Sequence, residues 1–191
     1  PKVSEWVSPL LTVVPLQVPL LLAMGRLHEN KAFDVLLDAV ASIPGCYLWI
    51  AGDGPLHQSL LEQSKQLGVE SRIRLLGWRQ DTTNLLATCD IFLCPSRHEP
   101  LGNVVIEAWA QHKPVIAAAA QGPTSLITPS LNGLLFPIDD ARAASDAILQ
   151  VMASEDLRTT LAENGFNTYQ EYFTEARVVA LYQDFFEMVK N

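Results

Sequence analysis

The sequence predicts a doubly wound α/β domain: a parallel sheet of about six strands with helices on both faces, followed by a helical tail. Two observations predict it. Short apolar runs alternate with segments of helical period all the way from Leu20 to Phe136. Strands separated in this way by helices of about 8–13 residues belong in a parallel sheet wrapped on both sides. After Pro137 the strand-like runs stop and only helical periodicity continues. A chain of 191 residues that is 49% apolar and 18% charged has enough core-forming residues to exclude disorder.

The elements follow in order. Leu20–Met24 is an unbroken apolar strand, and Phe33, Leu36, Leu37 and Val40 share one face of a helix over Ala32–Ala41. Pro44-Gly45 punctuates before a second strand, Cys46–Ala51. Pro55 opens a helix carrying Leu56, Leu60, Leu61 and Leu67, and Gly68 stands at its stop position. Arg72–Gly77 reads as the third strand, and Asp81 as the cap of a short helix to Thr88. Asp90–Pro95 is the fourth strand and Asn103–Gln111 a helix. Pro114–Ala119 is the fifth strand, running out through Ala120 to Gln121-Gly122-Pro123, and Gly133–Phe136 is a short sixth. Asp139-Asp140 reads as a helix start, with helices expected at about 140–153, 155–164 and 168–189. Trp49 and Trp109 sit within apolar faces and read as core.

Charge and cysteine usage narrow the function classes. The net charge is −8, and residues 139–191 hold 10 acidic against 4 basic residues. A polyanion-binding surface is therefore not expected, so nucleic acid is not a predicted partner, although a local pocket for one phosphate group remains compatible. Cys46, Cys89 and Cys94 form no CxxC pair and lie in or beside apolar runs, which predicts buried thiols and a reducing, cytoplasmic setting. Val7–Met24 is apolar but contains Pro9, Pro15 and Pro19, so it reads as an extended lead-in to a strand rather than a membrane span. Nothing resembles a signal peptide. A chain opening on Pro1 is expected to be a piece of a longer protein. The predicted organisation is a lead-in or linker remnant over 1–19, a Rossmann-like domain over 20–166 and a C-terminal helix over 167–191.

In a doubly wound sheet, ligands bind outside the carboxyl ends of the strands, where strand order reverses. Chemistry is therefore to be sought just after Met24, Ala51, Gly77, Pro95 and Ala119. After the first strand come Gly25 and Arg26, with Lys31 five residues on. Glycine permits close backbone approach, and two cations can converge on one anion. The bland alternative is a surface loop with scattered charges. No G-x-G-x-x-G follows this strand and no G-x-x-x-x-G-K-[ST] occurs, which disfavours a dehydrogenase or a P-loop enzyme. Gly52-Asp53-Gly54-Pro55 is by itself turn chemistry. After the fourth strand, Glu99 lies in a loop before a helix start at Gly102-Asn103. The unpaired amides there, around Leu101, Gly102 and Asn103, suit an anion or a sugar hydroxyl. Glu107 lies one turn further in, on the Asn103 face by i, i+4 spacing. Two carboxylates so placed can hold two parts of one polyhydroxylated ligand; alternatively, Glu99 is a loop acid and Glu107 an exposed helix acid. His28, His57, His98 and His112 have no metal-ligand spacing, and His98 is a candidate ligand contact only as the neighbour of Glu99.

The run from Pro95-Ser96 through Glu99 to Glu107 resembles the Glu-x7-Glu motif of the family 4 (group 1) glycosyltransferases. That family has the glycosyltransferase B fold, two Rossmann-like domains around a cleft. The other elements stand in the family's order: Gly25-Arg26 with Lys31, Gly52-Asp53-Gly54-Pro55, Lys113-Pro114-Val115-Ile116, Gln121-Gly122-Pro123 and Asn132-Gly133-Leu134-Leu135. The resemblance runs from about Leu20 to the end of the chain.

The resemblance implies a retaining transfer of a sugar from a nucleotide-sugar donor without a metal ion or other cofactor. Arg26 and Lys31 would bind the donor diphosphate and stabilise it as it leaves, Glu99 would hold the transferred sugar, and Glu107 would hold the ribose. The absence of any Asp-x-Asp fits fixed cations as the counter-charge. A glycan or glycolipid acceptor, a role in bacterial polysaccharide or lipopolysaccharide assembly, and membrane contact only through a missing N-terminal acceptor domain are likewise implied. The whole protein would then lie in the cytoplasm, peripheral to the inner membrane. The chain departs from the family at Ser125, where a Glu usually stands, and is expected to be only the C-terminal, donor-binding half, without the acceptor domain. A non-catalytic nucleotide-binding module, or another sugar-nucleotide enzyme such as an epimerase, are the alternative readings.

Overall fold

The computed structural model describes residues 18–190; the expected lead-in, apart from its last two residues, lies outside them. Six strands form one parallel sheet: β1 (Leu20–Met24), β2 (Tyr47–Ala51), β3 (Ile73–Leu75), β4 (Ile91–Cys94), β5 (Val115–Ala118) and β6 (Leu134–Phe136). Their order is β3-β2-β1-β4-β5-β6. β1 is central, with Leu22 opposite Trp49 of β2 on one side and Phe92 of β4 on the other. Order reverses between β1 and β4, which opens a crevice at their carboxyl ends.

Because side chains alternate along a strand, the unbroken apolar run of β1 feeds two cores. Leu21 and Ala23 join Leu48, Ile50, Leu93 and Ile116 on one face. Helices α1 (Phe33–Ala41) and α6 (Ala141–Ala153) cover that face with Leu36, Leu37, Val40 and Ile148. Leu20, Leu22 and Met24 join Phe92, Val115 and Ala117 on the other. There α3 (Thr82–Thr88) contributes Leu85 and Leu86, and α4 (Asn103–Ala110) contributes Val105 and the fully buried Trp109. Helix α2 (His57–Gln66) flanks β2 and β3, with Gly68 just past its end at φ +68°.

Several expectations need correction. Asp81 precedes α3, but its side chain makes no cap bond; both its oxygens take the Arg79 fork instead. After β5 the chain forms a short helix, α5 (Gln121–Leu126), where the sequence reads as a run-out. Pro123 in its first turn is compatible because no intrahelical donor is needed there. The expected break near residues 165–167 does not occur. One helix, α7 (Glu155–Tyr172), runs through Gly165 and Asn167, and the break falls at Phe173-Thr174 before α8 (Glu175–Val189). The reason is tertiary: Gly165 faces the Trp109 indole so closely that a Cβ there would lie 2.3 Å from its ring. A boundary at 166/167 thus cuts a helix whose Tyr169 still packs on the second core. Trp109 is core as expected, whereas Trp49 is only half-buried.

Candidate functional site

The loops after β1, β2 and β3 are laced together by backbone bonds. The Gly25 amide donates to Ala51 O (2.9 Å), Leu27 to Asp53 O (2.9 Å), and Gly52 to Gly77 O (2.8 Å). A Cβ at Gly52 would lie 1.8 Å from the Gly25 carbonyl oxygen, so no other residue permits this approach. Gly52-Asp53-Gly54-Pro55 is therefore the brace that holds the first loop, with Asp53 Oδ1 accepting from the Gly54 amide.

From that braced loop Arg26 projects as an exposed side chain. The chain then makes a single 3-10 turn, Glu29–Lys31, started by His28, whose Nδ1 accepts from the Asn30 amide. Lys31 Nζ donates to Glu99 Oε2 at 2.5 Å, joining the loop after β1 to the loop after β4. Glu99 is only 9% exposed, and a carboxylate so far withdrawn from water requires a partner. A longer contact from the Gly102 amide reaches its other oxygen (3.4 Å). The loop is clamped from behind by the Gly122 amide, which donates to Glu99 O (2.7 Å). A Cβ at Gly122 would lie 2.6 Å from both Glu99 O and Gly102 N, so the α5 start and this loop also touch backbone to backbone. Gly102 takes a left-handed conformation (φ +75°) as the N-cap of α4, with Leu101 and Asn103 exposed beside it.

Glu107 occupies a second, adjoining place. It lines an open cleft of about 170 Å³, room for a ring-sized group rather than a lone water, together with Gly25, Arg26, Val104, Trp78 and Arg79. Val104, the residue after Asn103, also lines this cleft. Glu107 is exposed, yet its carboxylate lies against the cleft wall, and the partial desolvation pushes its pKa up. The structure thus brings together Lys31 with Glu99, and Arg26 with Glu107, and Gly25-Arg26 borders both groups.

Trp78 and Arg79 were not singled out from sequence. The signal was present, since the position after Gly77 is a strand end. Trp78 is 76% exposed, an unusual place for an indole outside a binding surface. The Arg79 fork is tied to Asp81 (2.8 and 2.6 Å), which keeps that carboxyl below its usual pKa.

Other motif residues are scaffold. Lys113 Nζ donates to Ala87 O and Cys89 O (both 2.8 Å), satisfying carbonyls at the end of α3. Asn132, 4% exposed, accepts from the Thr128 amide and donates to Leu126 O and Thr168 Oγ1, while its carbonyl receives Trp109 Nε1. Ser125 Oγ donates to Gly122 O within its own helix (2.7 Å). His98 is exposed. The three cysteines are free and buried; burial raises every thiol, Cys89 to about 12, which makes them poor nucleophiles. Among the described residues no three His, Cys, Asp or Glu side chains are grouped as a metal ion would require, and no helix is long and apolar enough to cross a membrane.

Residues 12–168 match the family described as glycosyl transferases group 1. The chain is 42% identical over 168 residues to the lipopolysaccharide core biosynthesis glycosyltransferase LpsE of Rhizobium meliloti, covering 88% of this chain and 49% of that protein. It is 34% identical over 173 residues to LpsD of the same organism, covering 91% and 50%. A crystal structure of Anabaena HepE in complex with UDP and glucose superposes with a TM-score of 0.82 at 28% identity, covering 90% of this chain and 48% of that one. The chain therefore spans about half the length of the relatives it matches. By the extent of the family match and the identity to LpsE, the chain belongs to the group 1 glycosyltransferases.

Proposed function

We propose that this chain is the donor-binding half of a retaining glycosyltransferase that takes its sugar from a nucleotide-sugar and uses no metal ion. The observation that carries this reading is the Lys31–Glu99 pair beside Arg26 at the crevice between β1 and β4. Departure of a nucleoside diphosphate builds negative charge, and fixed cations stabilise that charge without reorganising. Arg26 and Lys31 are the cations for this role. Glu99, with the helix-start amides around Leu101, Gly102 and Asn103, holds the transferred sugar. Glu107 binds the ribose hydroxyls, and the exposed face of Trp78 receives the base. The likeness to HepE, solved with UDP and glucose, supports a uridine-based donor, and the likeness to LpsE and LpsD supports lipopolysaccharide core assembly. The acceptor, a glycan or glycolipid, and any membrane contact belong to a preceding domain. Without that domain water reaches the reacting centre and the acceptor is not aligned. Positioning is worth about 7–11 kcal/mol, so the chain alone is expected to transfer no sugar.

Calorimetry of the chain with UDP, GDP and ADP, and with the matching nucleosides, tests the site. One diphosphate should bind measurably. Arg26→Ala and Lys31→Ala should each weaken it about tenfold or more, because a charge-assisted hydrogen bond contributes roughly 1.5–3 kcal/mol, and should leave nucleoside binding nearly unchanged. Equal losses for diphosphate and nucleoside would refute the assignment. In the whole protein, NMR of the product anomer reads retention directly.

A further inference from the structure

We propose that Arg97 is a positioning residue for the donor site: its guanidinium fixes the Glu29–Lys31 turn against the Pro95–Glu99 loop, so that Lys31 and Glu99 meet the donor in register. This rests on the donor-site reading above. Three elements converge on this one side chain. Arg97 Nη1 donates to Glu29 O (2.6 Å), inside the turn that carries Lys31. Nη1 and Nη2 donate to the two oxygens of Asp34 on α1 (3.1 and 2.7 Å), and Nε donates to Asp139 after β6 (2.5 Å). The Arg97 and His98 amides both reach Asn30 O (2.8 and 3.3 Å), so backbone and side chain grip the same turn.

The turn needs such a grip. It is a single turn of 3-10 helix, and it ends on Ala32 in the left-handed region (φ +51°), where a residue with a Cβ is disfavoured. Its last side chain must nonetheless keep an ammonium on the nearly buried Glu99. Isolated surface ion pairs contribute little, but a fork shared between two carboxylates and a carbonyl defines an orientation as well as an energy. Arg97 is not a third counter-charge for the diphosphate, since two aspartates already outweigh its single positive charge. Lysine at this position would supply charge without the fork.

Two measurements on the chain test the proposal. Acylation of Lys31 by acetic anhydride, followed by mass spectrometry against the exposed Lys65, reports the pairing without any ligand. Arg97→Gln should raise the Lys31 rate several-fold with Lys65 unchanged, and Arg97→Lys should fall between. Asp34→Asn and Asp139→Asn give smaller shifts in the same direction and stand in if Arg97→Gln does not fold. Calorimetry with UDP supplies the second arm. Arg97→Gln should weaken binding about tenfold in the parent chain and not at all in a Lys31→Met background, the signature of action through Lys31. Unchanged Lys31 labelling, or losses that simply add in the double variant, would overturn the proposal. If Lys31→Met binds UDP as the parent does, or the parent binds none of the three diphosphates, the donor-site reading itself fails, and the labelling arm still decides whether Arg97 sets the pair.

Discussion

At the scale of single residues, Glu107 has a pH dependence whose sign follows from its surroundings. Desolvation alone lifts its pKa above glutamate's usual 4.5. Between that value and the raised one, the folded chain holds a proton that the unfolded chain has released, so stability falls as pH rises through that window. Glu107→Gln should therefore be more stable than the parent at pH 7, with the difference vanishing below the usual glutamate pKa; urea unfolding at pH 4 and pH 7 measures it. Binding should run the opposite way. Ribose hydroxyls donate best to the carboxylate, so nucleotide affinity should fall as pH drops through the raised pKa, and Glu107→Gln should be weaker and flat. A pH series of calorimetric titrations on the two proteins separates a binding carboxylate from a solvated helix acid.

At the scale of elements, Asn132 joins the Leu126–Asn132 loop, α7 and Trp109 of α4. Removal of the buried Asn132 side chain leaves the Thr128 amide and the half-buried Leu126 carbonyl without their partner. A group withdrawn from water costs about 1–3 kcal/mol when left unpaired. Asn132→Ala should thus lower the melting temperature by about 4–8 °C, taking roughly 2 kcal/mol and the usual slope for a chain of this size. Because α4 carries Glu107 and begins at the Glu99 loop, a donor nucleotide should recover part of that loss by mass action. A scan with and without UDP reads both effects. An Asn132→Ala chain that melted with the parent would show the hub to be dispensable.

For the whole molecule, the last helix is the element that the fold leaves uncovered. Leu181, Tyr182, Phe185, Phe186 and Met188 of α8 are all more than half exposed, and no residue of that helix is buried. Tyr169 and Phe173, from the same aromatic-rich stretch of sequence, pack on the second core instead. An apolar stripe of this size on a water-facing helix favours self-association or burial against a further protein surface, which under the reading proposed above is the acceptor domain. A chain ending at Phe173 should therefore keep its cooperative unfolding, bind less of a hydrophobic dye such as ANS and sediment as a monomer. Loss of the folded core on this truncation would mean that α8 supports the domain after all.

The sequence by itself determined the parallel sheet, its six strands along the chain and the helices on both its faces. Each depends on local pattern: unbroken apolar strands, helical stripes, and glycines where loops touch. Arg26, Lys31, Glu99 and Glu107 can be named as candidates from sequence because a parallel sheet brings the loops at its strand ends together, which is where ligands bind in such folds. What the tertiary structure alone decided is who meets whom. Lys31 and Glu99 are 68 positions apart and pair only because β1 and β4 are neighbours. Trp78, from the loop after β3, and Glu107, from α4, line one cleft although 29 positions separate them, a relation no periodicity encodes. The uninterrupted course of α7 through Gly165 is set by the Trp109 ring beneath it, and Asp81 forgoes its cap for an arginine two residues away. Local propensity proposes both the break and the cap, but side-chain packing and a charge-assisted fork outweigh preferences of at most about 1–2 kcal/mol.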